Sequence, residues 1–151
     1  MAERAEELYR LIVEIRRAFN ELKTYSDDAN ADLGVTAAMR AVMEHLALHG
    51  PTSVPDIARA KSVTRQHIQQ LSDALARDGL LEWNDNPRHK RSPLADLTAN
   101  GRAGFAEIRK REAAALQDLA AELQDVDCTA SADVLAELRA ALGKLTKRSD
   151  G

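Results

Sequence analysis

Arg65, Gln66, His67, Gln69 and Gln70 crowd into one short run, and their side chains suit the edges of base pairs. A guanidinium bridges guanine O6 and N7, and a carboxamide bridges adenine N6 and N7, so this run has the chemistry to distinguish bases. Further on, Arg88, His89, Lys90 and Arg91 form the densest basic cluster in the chain. Such groups reach backbone phosphates or a narrow minor groove, and His89 adds charge at lower pH. Bond-making chemistry is poorly represented. There is no Gly-rich phosphate loop and no Ser nucleophile elbow, and Cys128 has no neighbouring His in sequence to make a nucleophile pair. His45 and His49 have the spacing of helical metal ligands, with Glu44 adjacent, but no third strong ligand accompanies them. No catalytic residue, metal or cofactor is assigned, and the chain reads as a non-enzyme.

Both clusters need elements to present them. Met39, Val42, Met43 and Leu46 recur at helical spacing between Thr36 and Gly50, where Gly50 is a C-terminal cap and Pro51 forbids continuation. Ser53 is placed to cap Asp56 and start a short helix ending near Ala60, with Ile57 and Ala58 inward. After Lys61-Ser62-Val63, Thr64 caps a third helix, Arg65 to Asp78, closed by Gly79. Its Ile68, Leu71 and Leu75 face inward, which leaves the Arg/Gln run outward and at the N-terminal end, the end a recognition helix offers to the major groove. Two apolar segments, Leu80 to Trp83 and Ser92 to Leu97, flank an Asn/Asp/Pro turn and predict a β-hairpin carrying the basic cluster at its tip. Pro93 points to an edge or partly paired role for the return strand. The expected interface comprises Ser53, Ser62, Thr64, Arg65, Gln66, His67, Gln69, Gln70, Arg88, His89, Lys90 and Arg91, with Thr64 capping its helix and touching phosphate.

The order Thr36 to Leu48, Ser53 to Ala60, Thr64 to Arg77, Gly79-Leu80-Leu81, His89-Lys90-Arg91-Ser92 and Leu97-Thr98-x-x-Gly101-Arg102 resembles the MarR family of bacterial transcription regulators. The resemblance covers the central segment by motif and the flanking helices by position. It implies a mostly α fold with a small β-hairpin wing, a winged helix-turn-helix with N- and C-terminal dimerisation helices. It also implies a homodimer on a pseudo-palindromic double-stranded DNA operator, acting as a repressor relieved by a small-molecule effector. The effector cleft would lie where the first helix, the Thr36 helix and the long helix after Thr98 meet; no lining residues are assigned. Where relatives usually carry an acidic residue two positions before the wing Arg, this chain has His89, so an Asp that would brace Arg91 is absent.

Charge is distributed in keeping with that reading. The net charge of −3 hides a central segment, Pro51 to Arg102, in which eight Lys/Arg stand against six Asp/Glu. An acidic protein with a modest basic surface binds DNA by selectivity more than by bulk charge. Aromatic residues make up 3% of the chain against 44% hydrophobic residues overall, so small aliphatic contacts must build the core.

Apolar stripes at the two ends ask for partners. Leu8, Leu11, Ile12, Ile15, Phe19 and Leu22 form one; Phe105, Ile108, Leu116, Leu119 and Leu123 another; Val134, Leu135, Leu138, Leu142 and Leu145 a third. A short winged segment covers little of this, so pairing across a two-fold axis is the economical solution. The chain is therefore read as a single domain, 1–151, with dimerisation helices at 1–33 and 104–151 around a winged segment at 34–103. Polar stretches Ser26 to Leu33 and Asp125 to Ala132 break the helices from that core. No stretch approaches membrane-spanning length, no signal-peptide pattern is present, and a lone cysteine fits a reducing, cytoplasmic setting. The competing reading is a winged-helix protein-interaction module without DNA specificity, since fold does not fix function.

Overall fold

The computed structural model describes residues 1–149, so the last two residues of the expected 104–151 helical segment lie outside the described residues. Among the described residues, six α-helices, a 3-10 turn at Ala31–Leu33 and three short strands follow in the order α1 (Ala2–Ala29), α2 (Ala37–His49), β1 (Thr52–Ser53), α3 (Val54–Lys61), α4 (Arg65–Arg77), β2 (Leu81–Asn84), β3 (Leu94–Leu97), α5 (Ala99–Glu122) and α6 (Cys128–Ser149). This is the mostly α winged helix-turn-helix that the sequence predicts. The chain divides into two compact units, Met1–Glu112 and the part from Ala113 onward.

In the first unit, side-chain caps start the three central helices. Thr36 Oγ1 accepts from the Met39 N–H, Ser53 Oγ from the Asp56 N–H and Thr64 Oγ1 from the His67 N–H, each satisfying a donor that the first turn leaves orphaned. The ends of α3 and α4 share one device. The Leu80 N–H donates to Leu75 O at 2.9 Å and the Gly79 N–H to Ala76 O at 3.1 Å, with Gly79 at φ 73°. The Val63 N–H likewise donates to Ala58 O, and the Ser62 N–H to Arg59 O, with Ser62 at φ 56°. Both are Schellman closures, which need a left-handed residue; α4 uses glycine and α3 uses a serine.

Met43, Leu46, Ile57, Leu75, Leu97 and Ile108 are the largest fully buried apolar side chains, and they join α2, α3, α4, β3 and α5 into one core. Each contributes about 1.5–3 kcal/mol by leaving water. Met39 and Met43 belong to this packing.

Two expectations change. Pro93 does not push the return strand to an edge: β3 is the central strand of an antiparallel sheet ordered β1-β3-β2. Proline stands one residue before the strand, so its missing N–H removes no ladder bond, and β1 pairs Thr52 with Ala95 and Ser53 with Leu94. The polar breaks are also shorter than read. Ser26 to Ala29 stay helical in α1, and α6 begins at Cys128. The true break after α1 is set by Asn30, 2% exposed, whose Nδ2 donates to Ser26 O and whose carbonyl accepts from Leu33 and Val35 N–H. Asp27 Oδ1 then accepts the Ala37 N–H, tying the end of α1 to the start of α2.

The second unit consists of the last part of α5 and α6. Leu116, Leu119, Leu123, Val134, Leu135, Leu142 and Leu145 are exposed within it. No helix among the described residues is long and apolar enough to cross a membrane.

Candidate nucleic-acid interface

Helix α4 is two-faced. Ile68, Ser72 and Leu75 are buried, while Arg65, Gln66, His67, Gln69 and Gln70 are all exposed. The capping of Thr64 fixes where this helix begins, and with it the side on which the run emerges. Arg65, Gln66, His67 and Gln70 have no side-chain hydrogen bond or ion pair among the described residues, so their polar atoms are available to an incoming ligand.

The hairpin between β2 and β3 is folded on itself by Asn86. Its Nδ2 donates to Ser92 O at 2.9 Å and its Oδ1 accepts from the Arg88 N–H at 3.1 Å. The His89 N–H donates to Asn86 O and the Ser92 N–H to His89 O. Arg88, His89, Lys90 and Arg91 are all exposed on this loop.

A groove of about 260 Å³ joins the two clusters. Arg65, Gln66 and Gln69 line it from α4, Arg91, Ser92 and Pro93 from the wing, and Val54 and Pro55 of α3 complete it. Of the wing cations only Arg91 reaches this groove. It has no ion pair among the described residues, in keeping with the absence of an acidic brace at position 89.

The other expected residues fall into different surroundings. Ser53 is buried at 6% exposure, and its hydroxyl both caps α3 and donates to Asp56 Oδ2 at 2.9 Å. Ser62 is exposed in the turn between α3 and α4. Asp56 also accepts from Arg59 at 2.7 Å; the Ser53 hydroxyl first and the Arg59 guanidinium second hold its carboxyl below the ordinary value, and His89 in the wing acts in the same direction.

Sequence reasoning missed the contacts that hold this surface on its scaffold. Arg40, half-buried on α2, grips Glu112 of α5 through Nε and through Nη2 at 2.8 Å, and also pairs with Glu44. These bonds, chiefly the one to Glu112, raise the Arg40 pKa, and the same bond lowers that of Glu112 against the opposing pull of burial. Glu44 in turn lies 3.9 Å from Lys61, at the end of α3. Arg111 makes paired bonds to Asp32 at 2.7 and 2.9 Å and a third to Ala29 O. Asp96 of β3, 8% exposed, pairs with Arg102 at 3.2 Å. The i,i+4 spacing of Arg40 with Glu44 was the only sequence signal for any of these.

His45 and His49 stack at 4.4 Å between ring centroids. His45 is buried, and burial first, then the neighbouring His49 and Lys61, lowers its pKa.

No family model matches the chain. Over 138 residues, 91% of its length, it is 30% identical to an uncharacterised protein of Mycobacterium tuberculosis, 96% of which is covered. A 99-residue stretch is 31% identical to the uncharacterised HTH-type transcriptional regulator YkoM of Bacillus subtilis, covering 62% of that protein. Among solved structures, a MarR family transcription regulator superposes with TM-score 0.81 at 28% identity over 97% of each chain. Reduced AbfR bound to DNA superposes with TM-score 0.79 over 95% of this chain and 98% of that one; at 15% identity this is a likeness of fold.

Proposed function

This chain belongs to the MarR family of transcription regulators, a family without enzymatic activity, and on that premise we propose that it is a homodimeric, sequence-specific DNA-binding repressor relieved by a small-molecule effector. One observation carries the DNA-binding part: an exposed Arg/Gln run on α4, with Arg65 and Gln66 unpaired, and the wing cation Arg91 border one groove. In this reading Arg65, Gln66, His67, Gln69 and Gln70 meet base edges, Thr64 and Ser62 lie at the phosphates beside the helix start, and Arg88, His89, Lys90 and Arg91 grip the backbone. Ser53, buried under α3, acts by holding that helix in place.

The dimer is supported by what the chain leaves uncovered. Phe19 is 66% exposed and Leu22 63% on α1, and Leu116 and Leu142 are 57% and 48% exposed further on. Exposed large apolar side chains gathered at helical spacing mark association surfaces. The exposed faces of the helices within 1–33 and 104–149 are assigned to that contact, and a two-fold dimer sets its recognition helices about 34–36 Å apart, one turn of DNA. An effector acts by favouring a dimer with another spacing, which requires unequal affinity for the two states. The setting proposed is the cytoplasm.

The test is selection of duplexes from a random pool by the purified protein at ~150 mM salt, where weak charge-only binding is suppressed. Recovery of a two-fold-symmetric motif with half-sites about one helical turn apart is the expected result. Enrichment of no sequence, with the protein folded and dimeric, favours the protein-interaction module instead.

A further inference from the structure

Gln69 differs from its neighbours on α4 in how its amide is held. Its Nε2 donates to Asp73 Oδ1 at 2.9 Å, one turn further along the helix. A carboxylate only accepts, so turning the amide over sets Oε1 against Oδ1. With one N–H committed to Asp73, Gln69 has Oε1 and a single N–H left to present, and it stands in the groove between α4 and the wing.

Resting on the DNA-binding reading above, we infer that Asp73 is a positioning residue that makes Gln69 distinguish adenine from guanine at one base pair of each half-site. Adenine offers the N6–H donor beside the N7 acceptor, which matches Oε1 and the remaining N–H. Guanine offers two acceptors, O6 and N7, so its O6 meets Oε1. A free carboxamide escapes this repulsion by swinging its NH₂ group toward O6, and a braced one does not. In water an exposed i,i+4 bond of this kind is weak, but it strengthens when DNA displaces water from the groove. Asp73 acts only through Gln69.

The experiment is the random-pool selection repeated with full-length Asp73→Ala, Asp73→Asn, Gln69→Ala and Gln69→Glu, each checked by a thermal melt. Asp73→Asn keeps an acceptor oxygen but adds N–H donors, so it no longer dictates which way the Gln69 amide faces. The unaltered protein is expected to prefer adenine over guanine about tenfold at one pair per half-site, the discrimination typical of a bidentate contact. Asp73→Ala and Asp73→Asn both admit both purines there and leave other positions unchanged; Gln69→Ala loses the preference at the same pair. Gln69→Glu, which offers only acceptors, moves that preference to cytosine, and the near-isosteric Asp73→Asn stands as the independent arm if Asp73→Ala does not fold. An unchanged motif for Asp73→Ala or for Asp73→Asn, or a change at a pair that Gln69→Ala leaves alone, overturns the inference while the DNA-binding reading stands. Failure of the unaltered protein to select any motif overturns both.

Discussion

Gly101 sits so close to Leu80 that a Cβ built on it would lie 2.0 Å from the Leu80 carbonyl oxygen. Around that contact, Thr98 Oγ1 donates to Gly79 O at 2.6 Å and accepts from the Gly101 N–H at 3.0 Å, and the Thr98 N–H donates to Leu80 O. The end of the recognition helix is thereby fastened to the start of α5, which is the physical content of the Leu97-Thr98-x-x-Gly101-Arg102 pattern. Gly101→Ala must move backbone, and it is expected to cost about 3 kcal/mol or more, the upper end of overpacking penalties. Chemical denaturation measures this; a loss under about 1 kcal/mol would show that the junction yields.

Ser62 carries the left-handed conformation that closes α3 without the freedom of glycine. That conformation costs an ordinary residue roughly 1–2 kcal/mol, partly offset by the larger unfolded-state entropy of glycine. Ser62→Gly is expected to stabilise the protein by up to about 1 kcal/mol, read as a raised Tm. A lowered Tm would mean that the serine side chain contributes more than the strain costs.

Arg40 and Glu112 form a half-buried pair far apart in sequence. Removing the guanidinium leaves the Glu112 carboxylate with Arg109 as its remaining partner, so Arg40→Ala should cost about 2 kcal/mol, the range for hydrogen bonds to charged groups. Salt titration of the variant separates this from a surface pair, whose contribution high salt would screen away.

Stability should also depend on pH through His45. Its folded pKa lies below the ordinary value of about 6.5, so the unfolded chain takes up the proton first. The stabilisation is fully present above about pH 6.5 and is lost as pH falls through the lower folded value. The carboxylates lowered by their partners, Asp56 and Glu112 among them, add their own loss only below the ordinary carboxylate range. His45→Gln should flatten the Tm profile below about pH 6.5; an unaltered slope would assign the dependence elsewhere.

How far the sequence disclosed this molecule follows from the range of each interaction. Thr36, Ser53, Thr64 and Gly79 act on backbone within a few residues, so caps and helix ends were legible to within a residue or two. The pairing of Thr52 and Ser53 with β3 was not, because a two-residue strand has no period to detect. Pro93 misled for a related reason: its meaning depends on whether it falls inside the ladder, and it falls one residue outside. Arg40 with Glu112 and Arg111 with Asp32 span 72 and 79 positions, beyond any local pattern. At the site, the Arg/Gln run and the basic wing cluster were legible as composition. That Arg91 alone among the wing cations joins Arg65 and Gln69 in one groove depends on how Asn86 folds the loop and how β3 carries it back.

The central claim separates a base-reading residue from a backbone-gripping one, and competition binding of Arg65→Ala and Arg91→Ala on the selected operator and on a scrambled duplex tests it most directly. Arg65→Ala should lose affinity for the operator and little for scrambled DNA, so that the preference disappears. Arg91→Ala should weaken both by a similar factor and reduce the salt slope by about one. Equal loss on operator and scrambled DNA for Arg65→Ala would contradict the account.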